Sequence, residues 1–234
     1  MKLGQITDYL ETLVPLEWQE PWDKSGLQIG GRDREIRRIL VALDINKASV
    51  QKAIELNADL IISHHPLFFN PLEAIRDDRA EEALVRQLIE HEISVYSMHT
   101  NLDRAPWGVN IALAKAFNLD QRLSPDPLIL PAMPLAEPDL EDLFLGSEAF
   151  RGRKPGFGLV CVSKTSRFEL LAQSRVLGLG PVQANFDRDE ELSHIVFSGG
   201  SWDSAWLGAL EERQIQMVIT GEMKHHDREA LLNR

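Results

Sequence analysis

Apolar and polar positions along the first half of the chain follow two periodicities in turn. Apolar residues at helical spacing predict helices, which we place at 3–14, 47–57, 79–92 and 108–117. Short apolar runs predict buried strands, which we place at 38–44, 59–62 and 93–99. Because strands and helices alternate, we expect a largely parallel sheet with helices on its faces.

The second half of the chain repeats this alternation. Apolar runs predict strands at 157–162, 182–186, 194–197 and 217–220. Helical spacing recurs at 165–175, 203–213 and 223–232. Prolines crowd residues 124–139, which indicates a linker or an extended segment. The expected fold class is therefore α/β, with two lobes at 1–123 and 140–234, largely parallel or mixed sheets, and flanking helices.

Two adjacent histidines, His64 and His65, follow the strand predicted at 59–62, and Pro66 ends that strand. Neighbouring residues on a regular strand point to opposite faces, so the pair suits two ions close together. It suits one ion if the turn twists. The alternative interpretation of this His-His-Pro sequence is a turn that ends the strand, with one histidine in the core and the other exposed.

Further ligand-type residues follow other predicted strands. His99 and Asp103 come after the next strand along the chain, and carboxyl ends of parallel strands meet at one sheet edge. Glu222, His225 and His226 follow the last strand, although the histidines there could simply begin a helix. Imidazole and carboxylate ligands suit Zn, Mn, Fe or Ni. We therefore expect a site for two divalent ions at the strand ends between the lobes, formed from His64, His65, His99, Asp103, Glu222, His225 and His226.

Two other kinds of site, a phosphate-binding loop and a catalytic serine, have weaker support in the sequence. Ser198-Gly199-Gly200-Ser201 precedes a predicted helix, but the lysine spacing of a phosphate-binding P-loop is absent. Ser63 lies beside His64, yet no nucleophile elbow is present. The stretch 18–31 is rich in tryptophan and glycine; an ordered loop anchored by buried tryptophans accounts for it, and Asp23 is a further functional candidate.

Composition narrows the class of protein. The 234 residues carry a formal net charge of −11, which disfavours a nucleic-acid binder. The single cysteine, Cys161, excludes an internal disulfide and lies in an apolar run, so we expect a buried structural thiol. No secretory signal or apolar stretch of roughly 20 residues is visible, so we expect a cytoplasmic protein without a membrane partner.

Several segments together resemble the NIF-three-like family, whose members are often labelled GTP cyclohydrolase I type 2 homologues. They occur in the family's order and spacing, at 22–30, 42–44, 62–69, 99–103 and 220–226. The resemblance implies a two-lobed α/β subunit, a ring-shaped homohexamer and a dinuclear metal centre. It also implies that His64 binds one ion and that His65 and Asp103 bind the other. His99 would either support the metal ligands from behind or face the substrate.

One departure from the family pattern changes the expectation. Family members carry a further His-x-x-x-Glu motif after the last helix, and Arg234 precedes the place where it would occur. The resemblance therefore implies an incomplete metal site and a shortened second lobe. We expect a metal-dependent hydrolase of a small molecule, such as a nucleotide whose purine ring is opened, with Glu222 or His99 transferring protons. The alternative is a non-catalytic oligomeric scaffold that binds metal or a partner protein.

Overall fold

The computed structural model describes residues 1–120, 122–129 and 153–232. These residues form two compact units, Met1–Leu102 and Asp103–Arg234. The proline-rich linker expected at 124–139 lies outside the described residues from 130 onward, as does the beginning of the expected second lobe, 140–152. The lobe limits drawn from the sequence stay predictions.

The first unit contains a four-stranded mixed sheet. Its strands are β1 (Gly26–Ile29), β2 (Ile39–Ala42), β3 (Leu60–Ser63) and β4 (Ser94–Ser97). They lie in the order β1-β4-β3-β2, with β2, β3 and β4 parallel and β1 antiparallel to β4. The helices are α1 (Leu3–Leu13), α2 (Lys47–Glu55) and α3 (Ala80–Glu90), and a one-turn 3-10 helix covers Leu16–Trp18. Helix α4 (Thr100–Arg104) begins in this unit, whose last residue is Leu102.

The core of this unit packs the central strands against two of the helices. Val50 and Ala53 lie one turn apart on α2, and Val85 and Leu88 do the same on α3. All four contribute to one cluster with Ile61 of β3. The Asn46 side chain begins α2 by accepting hydrogen bonds from the amides of Ala48 and Ser49. Apolar residues on both faces of β3 and β4 are buried, as expected of inner parallel strands.

The second unit contains a three-stranded mixed sheet. Its strands β5 (Leu159–Ser166), β6 (Glu191–Ser201) and β7 (Met217–Glu222) lie in that order, the first pair antiparallel and the second parallel. The helices are α5 (Val109–Ala116), α6 (Arg167–Val176), α7 (Leu207–Glu212) and α8 (His225–Leu232), and a 3-10 turn covers Ser204–Trp206. Among the described helices, none has the length and apolar character needed to cross a membrane.

The expected fold class is confirmed, since both sheets are mixed and flanked by helices. The strand predicted at 182–186 is wrong, because those residues form irregular, mostly exposed chain. Its apolar residues are interrupted by Gln183 and Asn185, and no pairing strand lies beside them in the described chain. Strand β1 was not predicted, because Gly26 and Gln28 interrupt its apolar pattern.

Cys161 is confirmed as a buried thiol. It lies on β5 with none of its surface exposed, in a cluster with Ile195 and Phe197 of β6. Burial raises the pKa of its thiol to about 12, because a thiolate would lose its hydration there.

This burial predicts a specific dependence of stability on pH. The unfolded chain releases the Cys161 proton near the ordinary pKa of 9.0, whereas the folded chain retains it up to about 12. The thiol therefore contributes stability below pH 9 that is lost as the pH rises toward 12. Urea unfolding of wild type and Cys161→Ala, measured from pH 7.5 upward, should show a stability difference that shrinks above pH 9. A difference that stays constant with pH would contradict this assignment.

Candidate metal centre

The candidate metal centre begins with the register of three parallel strands. Ala42, Ser63 and Ser97 are aligned across β2, β3 and β4 at the carboxyl edge of the first sheet. Residues that follow these three positions must therefore emerge side by side. Asp44, His65 and His99 are each two residues further along the chain, so the sheet brings distant parts of the sequence together.

The chain bends directly after β3, and this bend places two neighbouring histidines on the same side. Strand β3 ends at Ser63, so His64 and His65 lie in the bend, where strand alternation no longer applies. Their ring centroids are 4.9 Å apart, and each lies 5.3–5.5 Å from the ring of His99. The turn is therefore twisted, and the prediction that the His64 and His65 side chains point to opposite faces of the sheet is wrong. Both rings are partly buried, so the prediction of one core histidine and one exposed histidine is also wrong.

The three histidines, His64, His65 and His99, form a group that could hold a metal ion. One ligand atom from each ring lies within 4.8 Å of the others. Each Nδ1 has a partner: Met98 O at 2.8 Å from His64, Asp44 Oδ1 at 2.7 Å from His65, and Asp23 Oδ1 at 2.8 Å from His99. Metal-binding histidines typically use their second nitrogen in this way. The donor set therefore fits a divalent metal ion.

A buried polar network fixes the bend. The Ser63 hydroxyl lies 2.8 Å from the His65 carbonyl and 3.0 Å from the Ser97 hydroxyl. The Ser97 hydroxyl and the Leu67 amide both donate to Gln28 Oε1, at 3.1 and 2.6 Å. Ser63 is thus a structural residue whose hydroxyl is committed to these contacts. Because buried polar groups must be satisfied, the network favours one geometry of the histidine bend.

Asp23 anchors His99 and is itself held by several donors. Its buried carboxylate accepts hydrogen bonds from the Lys24 amide at 2.6 Å, the Thr100 amide at 3.0 Å, and the hydroxyls of Thr100 and Ser25. Burial alone would raise the pKa of Asp23, but the hydrogen bonds from His99, Thr100 and Lys24 outweigh it and hold the pKa well below its usual range. Asp23 therefore presents a fixed negative charge to His99.

Burial also changes the protonation of His64. The loss of hydration, with repulsion from His65 and His99, lowers the pKa of His64 to about 4. Its ring is therefore neutral at physiological pH. A neutral imidazole is the form that binds a metal ion, so binding at His64 would require little proton release.

The sequence indicated Asp23 as a functional candidate without naming its partner, and it did not indicate Asp44 as a site residue. Asp44 follows β2 as His65 follows β3, and the parallel register could have predicted their contact. Asp23 lies in a loop before β1, and that strand was not predicted, so no pattern in the sequence pairs Asp23 with His99.

Asp103 belongs to the second unit, where it is 5 % exposed. Its carbonyl accepts from Asn110 Nδ2 at 3.1 Å, and Asn110 Oδ1 accepts from the Gly199 amide at 2.6 Å. Gly199 and Gly200 belong to the end of β6, which extends beyond the strand predicted at 194–197. A Cβ on Gly199 would lie 2.9 Å from Val109 Cγ1. Close packing thus accounts for glycine at this position.

The remaining sequence candidates also lie in the second unit. Glu222 is the exposed last residue of β7, and its carbonyl accepts from the Trp202 amide. His225 and His226 are exposed in the first turn of α8, as a polar helix start would be. Within the described part of the chain, no metal-binding group of three or more includes Glu222, His225 or His226.

Comparison with known proteins places this geometry in context. A GTP cyclohydrolase 1 type 2 homolog from Staphylococcus aureus is 42% identical over 119 residues, 51% of this chain. The matched stretch spans only 32% of that relative's length. The NIF3-like protein 1 of Drosophila melanogaster is 31% identical over 231 residues, 97% of this chain and 71% of the relative.

A structural comparison and a family model give the same result as these sequence relatives. A Bacillus cereus protein related to NIF3, solved as a crystal structure, has a TM-score of 0.81 at 21% identity, with 99% of this chain and 85% of that one covered. This similarity shows a shared fold. A sequence model of the family described as Duf34/NIF3 (NGG1p interacting factor 3) matches residues 1–233. The chain therefore belongs to the Duf34/NIF3 family.

Proposed function

We propose that the protein is a dinuclear metal-dependent hydrolase of a small molecule. The observation that carries the proposal is the convergence of three imidazoles whose Nδ1 atoms are all held by other groups. In this proposal His64 binds one divalent ion, and His65 and Asp103 bind the other. Zn, Mn, Fe and Ni are the candidates, because imidazole and carboxylate ligands suit all four.

The protein residues have separate tasks in this mechanism. A divalent ion would supply Lewis acidity, which polarises a substrate oxygen and lowers the pKa of water. Met98, Asp44 and Asp23 hold the three rings in fixed orientations, so little reorganisation accompanies binding.

Two groups are proposed to move protons. His99 is partly exposed, and its Nδ1 lies 2.8 Å from Asp23 Oδ1, so the carboxylate holds the ring in a fixed orientation for proton transfer. Glu222 has an exposed carboxylate at the end of β7, which can exchange a proton with solvent.

The proposed substrate is a nucleotide or another phosphate-bearing heterocycle, and the reaction is hydrolytic opening of the ring. The names of the Staphylococcus relatives, which refer to GTP cyclohydrolase, support this choice. We further propose that the chain assembles as a homohexamer and acts in the cytoplasm.

Metal content tests the ligand assignment. The wild-type protein should bind about two ions per chain, and His64→Ala and Asp103→Asn should each lose about one of them. Elemental mass spectrometry on protein of verified folding gives the count. His91→Ala is the matched control, because His91 bonds Gln87 O outside the histidine group. Unchanged metal content in both ligand variants would contradict the assignment.

The carboxylate behind His65 should affect metal affinity without touching the ion. Asp44→Ala removes the partner of His65 Nδ1 and should weaken metal binding by about 10- to 100-fold. Asp44→Asn retains an acceptor oxygen and should have a smaller effect. Metal titration by calorimetry measures both, beside Asp33→Ala, which removes an exposed carboxylate elsewhere in the unit. Equal affinity in Asp44→Ala and Asp33→Ala would argue against orientation of His65 by Asp44.

Glu222→Gln separates proton transfer from metal binding. The variant should keep its metal content and lose about 100-fold or more in kcat for hydrolysis of GTP. Glu212→Gln, an exposed carboxylate at the end of α7, is the control. Metal-loaded wild-type protein that hydrolyses neither GTP nor related nucleotides would contradict the hydrolase and favour the non-catalytic scaffold.

A further inference from the structure

Two large aromatic side chains are exposed beside the candidate metal centre. Trp22 is 58% exposed and Phe69 is 44% exposed. Trp22 directly precedes Asp23, and Phe69 follows the histidine bend by four residues. Their rings are stacked, with centroids 6.5 Å apart and 29° between the planes. The expectation that tryptophans anchor this loop by burial therefore holds for Trp18 and is wrong for Trp22.

Both rings contact the same histidine. The Trp22 ring lies 5.9 Å from the His99 ring at 73°, and the Phe69 ring lies 5.7 Å from it at 78°. His99 is in turn within 5.5 Å of the rings of His64 and His65. The aromatic pair is therefore continuous with the histidine group, and a molecule seated on it would reach the metal ligands.

Neither ring belongs to the described core cluster around Val50, Ile61 and Leu88. Single exposed apolar residues are ordinary, but adjacent exposed aromatics mark binding surfaces, because each ring has a large area to bury. The polar network at Asp23 and Gln28 holds both loops, so the rings are presented on a fixed support.

We propose that Trp22 and Phe69 form an aromatic binding surface for a planar heteroaromatic ring of the substrate. This inference rests on the proposed function and deepens it, because it assigns the residues that select a ring-bearing molecule. Aromatic faces stack on flat heterocycles whatever their hydrogen-bonding edges. The surface therefore sets the class of substrate and positions its ring beside His99, whereas the metal ligands act on the reacting atoms.

The test compares a probe with a ring and a probe without one. Guanosine 5′-monophosphate and ribose 5-phosphate are titrated by calorimetry into the full-length, metal-loaded protein. Wild type should bind the nucleotide about tenfold more tightly than the sugar phosphate, the gain expected from one stacked base. Trp22→Leu and Phe69→Leu should each reduce that ratio severalfold and leave ribose 5-phosphate binding unchanged.

Two further variants make the result specific to aromatic stacking. Trp22→Phe retains an aromatic face and should keep most of the ring preference, whereas Trp22→Leu keeps apolar area only. Tyr9→Leu, which removes a 56% exposed aromatic side chain from α1, should leave the ratio unchanged. Metal content is measured on every sample.

The outcomes separate this inference from the hydrolase proposal. Equal binding of the two probes to wild type, or a ring preference that survives in both leucine variants, overturns the inference even where two ions are bound. A loss of oligomeric mass in those variants with unchanged ring binding also overturns it, since the surface would then contact a second copy of the chain. A Trp22-dependent ring preference in a protein that binds no metal would support the aromatic surface and refute the hydrolase.

Discussion

The register of three parallel strands is the constraint on which the candidate site depends. Pairing of β2 with β3 and of β3 with β4 aligns Ala42, Ser63 and Ser97, and the polar residues that follow have little freedom to lie elsewhere. A shift of one residue in either pairing would turn the side chains to the opposite faces of the sheet. The apolar burial of β3 and β4 opposes such a shift. The same burial that stabilises the first unit therefore also sets the positions of the three histidines.

A second requirement is that the ligands remain oriented without a metal ion. Three imidazoles whose ligand atoms lie within 4.8 Å of one another would repel if charged, and burial already opposes protonation of His64. Each ring is held through Nδ1, and the bend between them is held by the network of Ser63, Ser97 and Gln28. Because the rings are already oriented when the chain folds, an ion that bound them would lose less binding free energy to the ordering of side chains. The two loops that bear the aromatic pair share these supports.

The sequence predicted much of this arrangement and missed the parts that depend on tertiary contacts. Strand–helix alternation was enough to place His64, His65 and His99 at one sheet edge, because parallel strands leave no other choice. The conformation of the bend after Ser63 could not be predicted, since strand periodicity does not determine the direction of side chains beyond the end of a strand. Asp23 could not be assigned to His99 while β1 was unrecognised, and β1 is an edge strand that pairs with β4, a contact between distant parts of the sequence. The prediction of a strand at 182–186 was wrong for the opposite reason. Its local sequence pattern suggested a strand, but no neighbouring strand pairs with it in the described chain. The roles of Glu222 and Asp103 rest on resemblance and stay predictions.

The three imidazole anchors differ in chemical kind, and this asymmetry has a consequence for how the centre would fill. His64 is backed by a neutral carbonyl, His65 by a half-exposed carboxylate, and His99 by a buried carboxylate. The three rings are therefore held by partners that differ in charge and in exposure to solvent. An ion that entered this group would meet three nitrogens that are not equivalent.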